Sequence, residues 1–176
     1  MIAFERRPGP NLGGAGKGLL LDVDGTLRKT LSGDLYPTDP ADIELLPGRR
    51  EVLQRWIADG YQLFFVSNQS GVASGSVTLD AVQRCFQRTV ELLDVPIADV
   101  AFCPHSAFPA GCFCRKPMPG LGVYLARKHN LALDTLVMVG DMDSDAQFAR
   151  AIGATYVDAE AFFGPAGPTS SSRSAR

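Results

Sequence analysis

Two kinds of side-chain cluster in this chain could do chemistry. The first is carboxylate: Asp22 and Asp24 in "DVDGTL", and Asp141, Asp143 and Asp145 in "GDMDSD". Acids crowded beside glycines repel one another unless a cation shares the space. A hard divalent ion with oxygen ligands resolves that repulsion, and Mg2+ typically takes one or two carboxylates together with waters and phosphate. Asp143 and Asp145 also read as caps of a following helix, where acids are favoured. The second cluster is soft: Cys103, His105, Cys112 and Cys114 lie in "FCPHSAFPAGCFCRKPMPG". Four N and S ligands match tetrahedral Zn2+ with no open position, a structural site. Disulfide pairing within C-x-C is disfavoured by ring strain. The basic pair Arg115–Lys116 follows the last cysteine directly.

The elements around these clusters alternate. Residues 18–23 and 61–67 are apolar enough for buried strands, and 97–103, 135–141 and 154–158 read as three further strands. Between them, 47–59, 79–93, 121–129 and 145–152 carry helical spacing, with Pro47 in the first turn and Gly60 after the end of the first helix. Cys85 falls on the apolar stripe of the second helix and reads as a core thiol. His129, near a helix C-terminus, is favoured there by the dipole. The alternation predicts an α/β fold, a Rossmann-like, doubly wound, mainly parallel sheet with helices on both faces. In such sheets the sites gather at the carboxyl ends of the strands, where both acidic clusters stand.

Residues 1–17, rich in Gly and Pro, are expected to be a flexible lead-in, and 164–176 a flexible polar tail, leaving 18–163 as one domain with its zinc loop at 102–120. Gly16-Lys17 is no phosphate loop, because Asn11 and Gly18 replace the required Gly and Ser or Thr. A net charge of −2 and a pI near 5.6 provide no overall basic field for nucleic acid or an anionic membrane. No apolar run approaches the ~20 residues of a bilayer span, and the first residues lack the pattern of a secretory signal. The expectation is a cytoplasmic monomer in which thiols stay reduced and clustered cysteines hold metal.

With these residues in view, the chain resembles the haloacid dehalogenase superfamily of phosphotransferases. The likeness rests on Asp22 to Thr26, Ser67 after the second strand, Lys116, and Gly140 to Asp145, in the family's order. It implies a Mg2+-dependent phosphomonoester hydrolase. Asp22 would attack phosphorus and form an aspartyl-phosphate, and Asp24 would serve as general acid and then base. Asp22, the Asp24 backbone carbonyl and Asp141 would hold Mg2+, while Ser67 and Lys116 would contact the phosphoryl group. Asp145 would orient Lys116 or a metal-bound water. No long insertion follows "DGTL" or the second strand, so no large cap domain is expected.

The zinc loop followed by "CRKP", together with "SNQSGVASG", resembles the heptose bisphosphate phosphatases and the related histidinol-phosphate phosphatases, so a small phosphorylated sugar is the expected substrate. Arg115 and Asn68 join the expected substrate contacts, although Asn68 and Gln69 could equally bond the backbone of neighbouring loops. Two positions depart from that subgroup, Val23 where arginine is usual and Met142 where a basic residue is. The Asp-hydrophobic-Asp-Gly-Thr-Leu form is common in polynucleotide 3'-phosphatases, which remain an alternative. An inactive zinc-stabilised binding module is a further one, but it would have no chemical need for Asp22, Asp24, Ser67, Lys116 and Asp141 together.

Overall fold

A computed structural model describes residues 16–109 and 111–164. The expected flexible ends, apart from residues 16, 17 and 164, lie outside the described residues. The first strand, β1 (Lys17–Leu21), is the middle of a five-stranded sheet. It pairs in parallel with β4 (Tyr61–Asn68) on one side and β6 (Val137–Gly140) on the other. The sheet ends in β5 (Ile97–Cys103) beside β4 and β7 (Thr155–Asp158) beside β6, both parallel as well.

A central parallel strand is covered on both faces and can be apolar throughout. Leu19, Leu20 and Leu21 are all fully buried, but alternation sends them to opposite layers. Leu19 and Leu21 join Leu63, Phe65, Val137 and Val139 in one core. This face is covered by α1 (Arg49–Ala58), α3 (Leu79–Leu93) and α6 (Ala159–Phe163), through Trp56, Phe86 and Phe162 among others. Leu20, Phe64, Val66 and Met138 face the other core, under α4 (Gly120–Lys128) and α5 (Asp143–Ile152). Gly122 on α4 lets that helix approach α5, since a Cβ there would meet Ile152 at 2.9 Å and Phe148 at 3.0 Å.

Helix ends follow local chemistry. The Thr78 side chain accepts the Ala81 N–H at the start of α3, at 3.1 Å. The first helix begins at Arg49 and not at Pro47, because Gly48 turns the chain with φ +75°. The last long helix starts at Asp143, two residues before the sequence pattern suggests. That shift places Asp145 in the first turn, where its Oδ2 accepts the Met142 N–H at 3.1 Å. Periodicity also gave no sign of the short antiparallel pair β2 (Arg28–Thr30) and β3 (Ile43–Leu45), or of α2 (Gly71–Ser74) and α6. Between β1 and α1 the chain forms only this pair and a 3-10 turn, so no large cap is present there. Among the described residues, no helix is long and apolar enough to cross a membrane.

Candidate active site

Strand order dictates where the chemistry collects. Asp22 follows β1, Ser67 and Asn68 close β4, Cys103 closes β5, and Asp141 follows β6, all at the carboxyl edge of the sheet. Register brings Asn68 opposite Cys103, so the metal-type loop and the second-strand loop start side by side.

A buried charge centre sits at this edge. Lys116 Nζ lies 2.6 Å from Asp22 Oδ1 and 2.6 Å from Asp145 Oδ1, and it donates to the Val66 carbonyl at 2.8 Å. Lys116 is 3 % exposed and Asp145 1 %. Burial pushes the Asp22 carboxyl up to about 7; Lys116 opposes this, while Asp145 and Asp24 add to it. Burial works to lower Lys116, but Asp22 and Asp145 outweigh it and hold the ammonium above its ordinary value.

Asp141 stands on the exposed side of the same centre. Its Oδ1 accepts the Thr26 hydroxyl at 3.0 Å, and any side chain at position 25 would collide with its carboxylate. Gly25 also has φ +84°, so the turn needs glycine on two counts. Carboxylate oxygens of Asp22, Asp141 and Asp145 all lie within 4.8 Å of one another. Three carboxylates against one ammonium leave a formal charge of −2, which is the deficit a divalent cation fills.

Asp24 is held from both sides. Arg28 Nε donates to its Oδ1 at 2.8 Å, and Gln69 Nε2 donates to its Oδ2 at 2.8 Å while also reaching Ser67 Oγ at 2.9 Å. Ser67 is buried at the end of β4. Asn68 contacts neither acid. Its Nδ2 donates to the Lys116 carbonyl at 3.0 Å and its Oδ1 accepts the Lys116 N–H at 2.9 Å. Of the two roles open to Asn68, the structure shows the backbone one. Arg115 is partly buried beside Lys116. Asp143 and Met142 are exposed, and the Val23 side chain points into the core.

The soft cluster is compact too. Cys103 Sγ lies 3.5 Å from His105 Nδ1, 3.5 Å from Cys112 Sγ and 3.3 Å from Cys114 Sγ, with His105 Nδ1 3.1 Å from Cys114 Sγ. No disulfide forms among these cysteines. Tetrahedral ligands at Zn–S bond lengths stand about 3.8 Å apart, so these spacings suit one central ion. Burial, with further help from Cys112 and Cys114, pushes the Cys103 thiol up to about 12. At Cys112 burial also acts upward, but the Arg115 N–H and the neighbouring thiols outweigh it and bring the group down to about 7. Cys85, by contrast, is buried on α3. His129 Nε2 lies 2.8 Å from Asp99 Oδ2.

Residue 28 carried no functional weight in the sequence, and residue 26 only that of a signature position. Arg28 stands four residues after Asp24, a spacing that signals contact only in a helix, and here it spans a turn. Thr26 closes the "DGT" signature, but its bond to Asp141 crosses from one loop to another and leaves no local trace.

This sheet with its carboxylate edge is that of a phosphatase of the haloacid dehalogenase type, and relatives of known structure share it. The chain spans 80 % of its own length and 78 % of that of the Bordetella bronchiseptica D,D-heptose 1,7-bisphosphate phosphatase, complexed with magnesium and phosphate, at a TM-score of 0.70 and 26 % identity. More particularly, the chain belongs to the polynucleotide kinase 3 phosphatase family, whose model matches residues 18–163. Two curated relatives are named D-glycero-beta-D-manno-heptose-1,7-bisphosphate 7-phosphatase. The Helicobacter pylori protein is 32 % identical over 133 residues, covering 73 % of this chain and 75 % of its own. The Pasteurella multocida protein is 34 % identical over 141 residues, covering 73 % of each.

Proposed function

We propose that this protein is a Mg2+-dependent phosphatase whose substrate is a small phosphorylated sugar of the heptose 1,7-bisphosphate class, and that it works in the cytoplasm as a monomer. The observation that carries the reading is the buried Lys116 ammonium between Asp22 and Asp145 at the sheet's carboxyl edge. The heptose relatives support the sugar class.

Asp22 attacks phosphorus: an Oδ–P bond forms, the P–O bond to the sugar breaks, and Asp24 gives its proton to the departing oxygen. Water then attacks the aspartyl-phosphate, its proton passes to Asp24, and the Oδ–P bond breaks to restore Asp22 and release phosphate. Ser67 and Lys116 bind the phosphoryl oxygens and offset their charge. Arg115 meets the substrate from the zinc loop. Asp22, the Asp24 carbonyl and Asp141 would hold Mg2+, which when bound supplies charge neutralisation to the transferring phosphoryl group. Asp145 orients Lys116, and Asn68 acts on substrate only through the Lys116 backbone. Cys103, His105, Cys112 and Cys114 would hold a structural Zn2+, with no chemical part in turnover.

Phosphate release from heptose 1,7-bisphosphate, histidinol phosphate and a 3'-phosphorylated oligonucleotide, each with and without Mg2+, tests this. The highest kcat/KM is expected on the heptose bisphosphate, and only with Mg2+. Preference for the oligonucleotide would transfer the assignment to the polynucleotide 3'-phosphatases, whose "DVDGTL" form Val23 shares. Preference for histidinol phosphate would transfer it to that branch.

A further inference from the structure

Arg28 is an arginine where an apolar residue would ordinarily be. It is 1 % exposed, and its guanidinium lies over the Phe86 ring, 5.2 Å from the centroid. A cation so deeply buried must be paired and hydrogen-bonded. Its Nη1 donates to the Cys85 carbonyl at 2.8 Å and to Thr89 Oγ1 at 2.7 Å, both on α3. Thr89 is itself fully buried, and its hydroxyl donates to the Cys85 carbonyl at 2.8 Å. The edge of the guanidinium not used by α3 presents Nε to Asp24 Oδ1 at 2.8 Å. Asp24 is its carboxylate partner.

A guanidinium fork is planar and rigid, so anchoring one edge fixes the direction of the other. We infer that Arg28 is a positioning residue for Asp24, transmitting the fixed position of α3 to the carboxyl group that handles the proton. Asp24 rests on a short turn, and its backbone alone leaves the side chain free to rotate. With Arg28 on Oδ1 and Gln69 on Oδ2, the carboxyl plane is set and one rotamer is retained. General acid–base catalysis contributes roughly 10²–10⁴-fold and depends on hydrogen-bond reach to the proton's destination, so a freely rotating Asp24 forfeits much of it. The inference rests on the acid–base role given to Asp24 above.

The leaving group separates positioning from mere folding. A sugar alkoxide needs a proton to depart, whereas p-nitrophenolate leaves without one. Because kcat/KM reports steps up to the first irreversible one, it reads proton delivery to the leaving group and excludes the later hydrolysis. Arg28→Met, Arg28→Lys and Thr89→Val are compared with the parent on heptose 1,7-bisphosphate and on p-nitrophenyl phosphate, with Asp24→Asn as reference. For Arg28→Met, kcat/KM should fall roughly 10²-fold on the sugar phosphate and less than about threefold on the aryl phosphate. Arg28→Lys should recover part of the loss. Thr89→Val, which keeps the shape of the core and removes one anchor, should show the same contrast at about a tenth of the size, and it covers the case in which Arg28→Met does not fold. Equal losses on both substrates, or no loss on either in Arg28→Met or Thr89→Val, would overturn the inference. An Asp24→Asn enzyme showing no contrast would overturn the acid–base reading, and the role of Arg28 with it. A contrast in Asp24→Asn but not in the Arg28 and Thr89 variants would overturn the role of Arg28 alone.

Discussion

The two sides of the site achieve the same precision by different means. On one side, Asp22 and Asp141 emerge from the two strands at the heart of the sheet, whose preceding residues are fully buried. Their direction is inherited from the core, and any error in it would have to disturb the packing of Leu21 or Val139. On the other side, Lys116 belongs to a loop whose described residues between Cys103 and Gly120 form no helix or strand. Its position comes from local devices: the Cys/His cluster, which ties the end of β5 to residues 112 and 114, and the Asn68 amide, which holds both backbone groups of Lys116. Stiffness that the core provides on the carboxylate side must be supplied by a few specific contacts on the ammonium side. The loop side should therefore be the one that small changes can loosen.

Asp22→Asn tests the strand side at full strength. Loss of the nucleophile should lower kcat by roughly 10⁴-fold or more. The protein should stay folded, because the amide replaces a buried carboxylate of similar shape. Rapid-quench trapping of labelled aspartyl-phosphate should succeed in the parent and fail in the variant; retained activity would refute covalent catalysis.

Asn68→Ala tests the loop side. It leaves the Lys116 N–H and carbonyl unpaired in a partly buried place, at a cost of about 1–3 kcal/mol. Activity should fall about tenfold, chiefly in kcat, because Lys116 is displaced and no substrate contact is removed. A change confined to KM would instead return Asn68 to the substrate.

Much of this division could be read from the amino-acid sequence. The strand at 97–103, the long helix at 79–93 and all four Cys/His ligand candidates stand where their residue types imply, because apolar period and soft-ligand spacing are local signals. The sequence left Asn68 open between substrate and neighbouring backbone, and the role of Arg28 was not legible in it. Their partners, Lys116 for one and α3 for the other, lie far along the chain and meet them only through sheet register and helix packing. The start of α5 was displaced for a related reason. Asp143 lacks any apolar signature, and the bond from the Met142 N–H to Asp145 that closes the first turn is a three-dimensional fact.

A smaller effect should appear in the pH dependence of stability. The Asp22 carboxyl is raised to about 7 in the fold, well above its unfolded value. Between roughly pH 4 and pH 7 the folded state then binds more protons than the unfolded one, so Asp22 makes stability fall as pH rises through that window. Mg2+ favours the ionised form and should offset this penalty. Thermal unfolding should thus show a larger rise in Tm on adding Mg2+ at pH 8 than at pH 5.5, with roughly 2–4 °C for each kcal/mol of difference. Equal shifts at both pH values would separate Mg2+ binding from Asp22.

The claim that the cysteine cluster serves Lys116 is tested most directly by removing zinc in two backgrounds. Parent and Lys116→Met proteins are stripped with a chelator, returned to saturating Mg2+, verified by metal analysis and circular dichroism, and compared by kcat. If the cluster acts by holding the lysine, stripping should lower kcat at least about tenfold in the parent and leave the Lys116→Met residual rate unchanged, because the two perturbations remove the same contact. An unchanged rate in the stripped parent, or the same fold-loss in both proteins, would contradict the account.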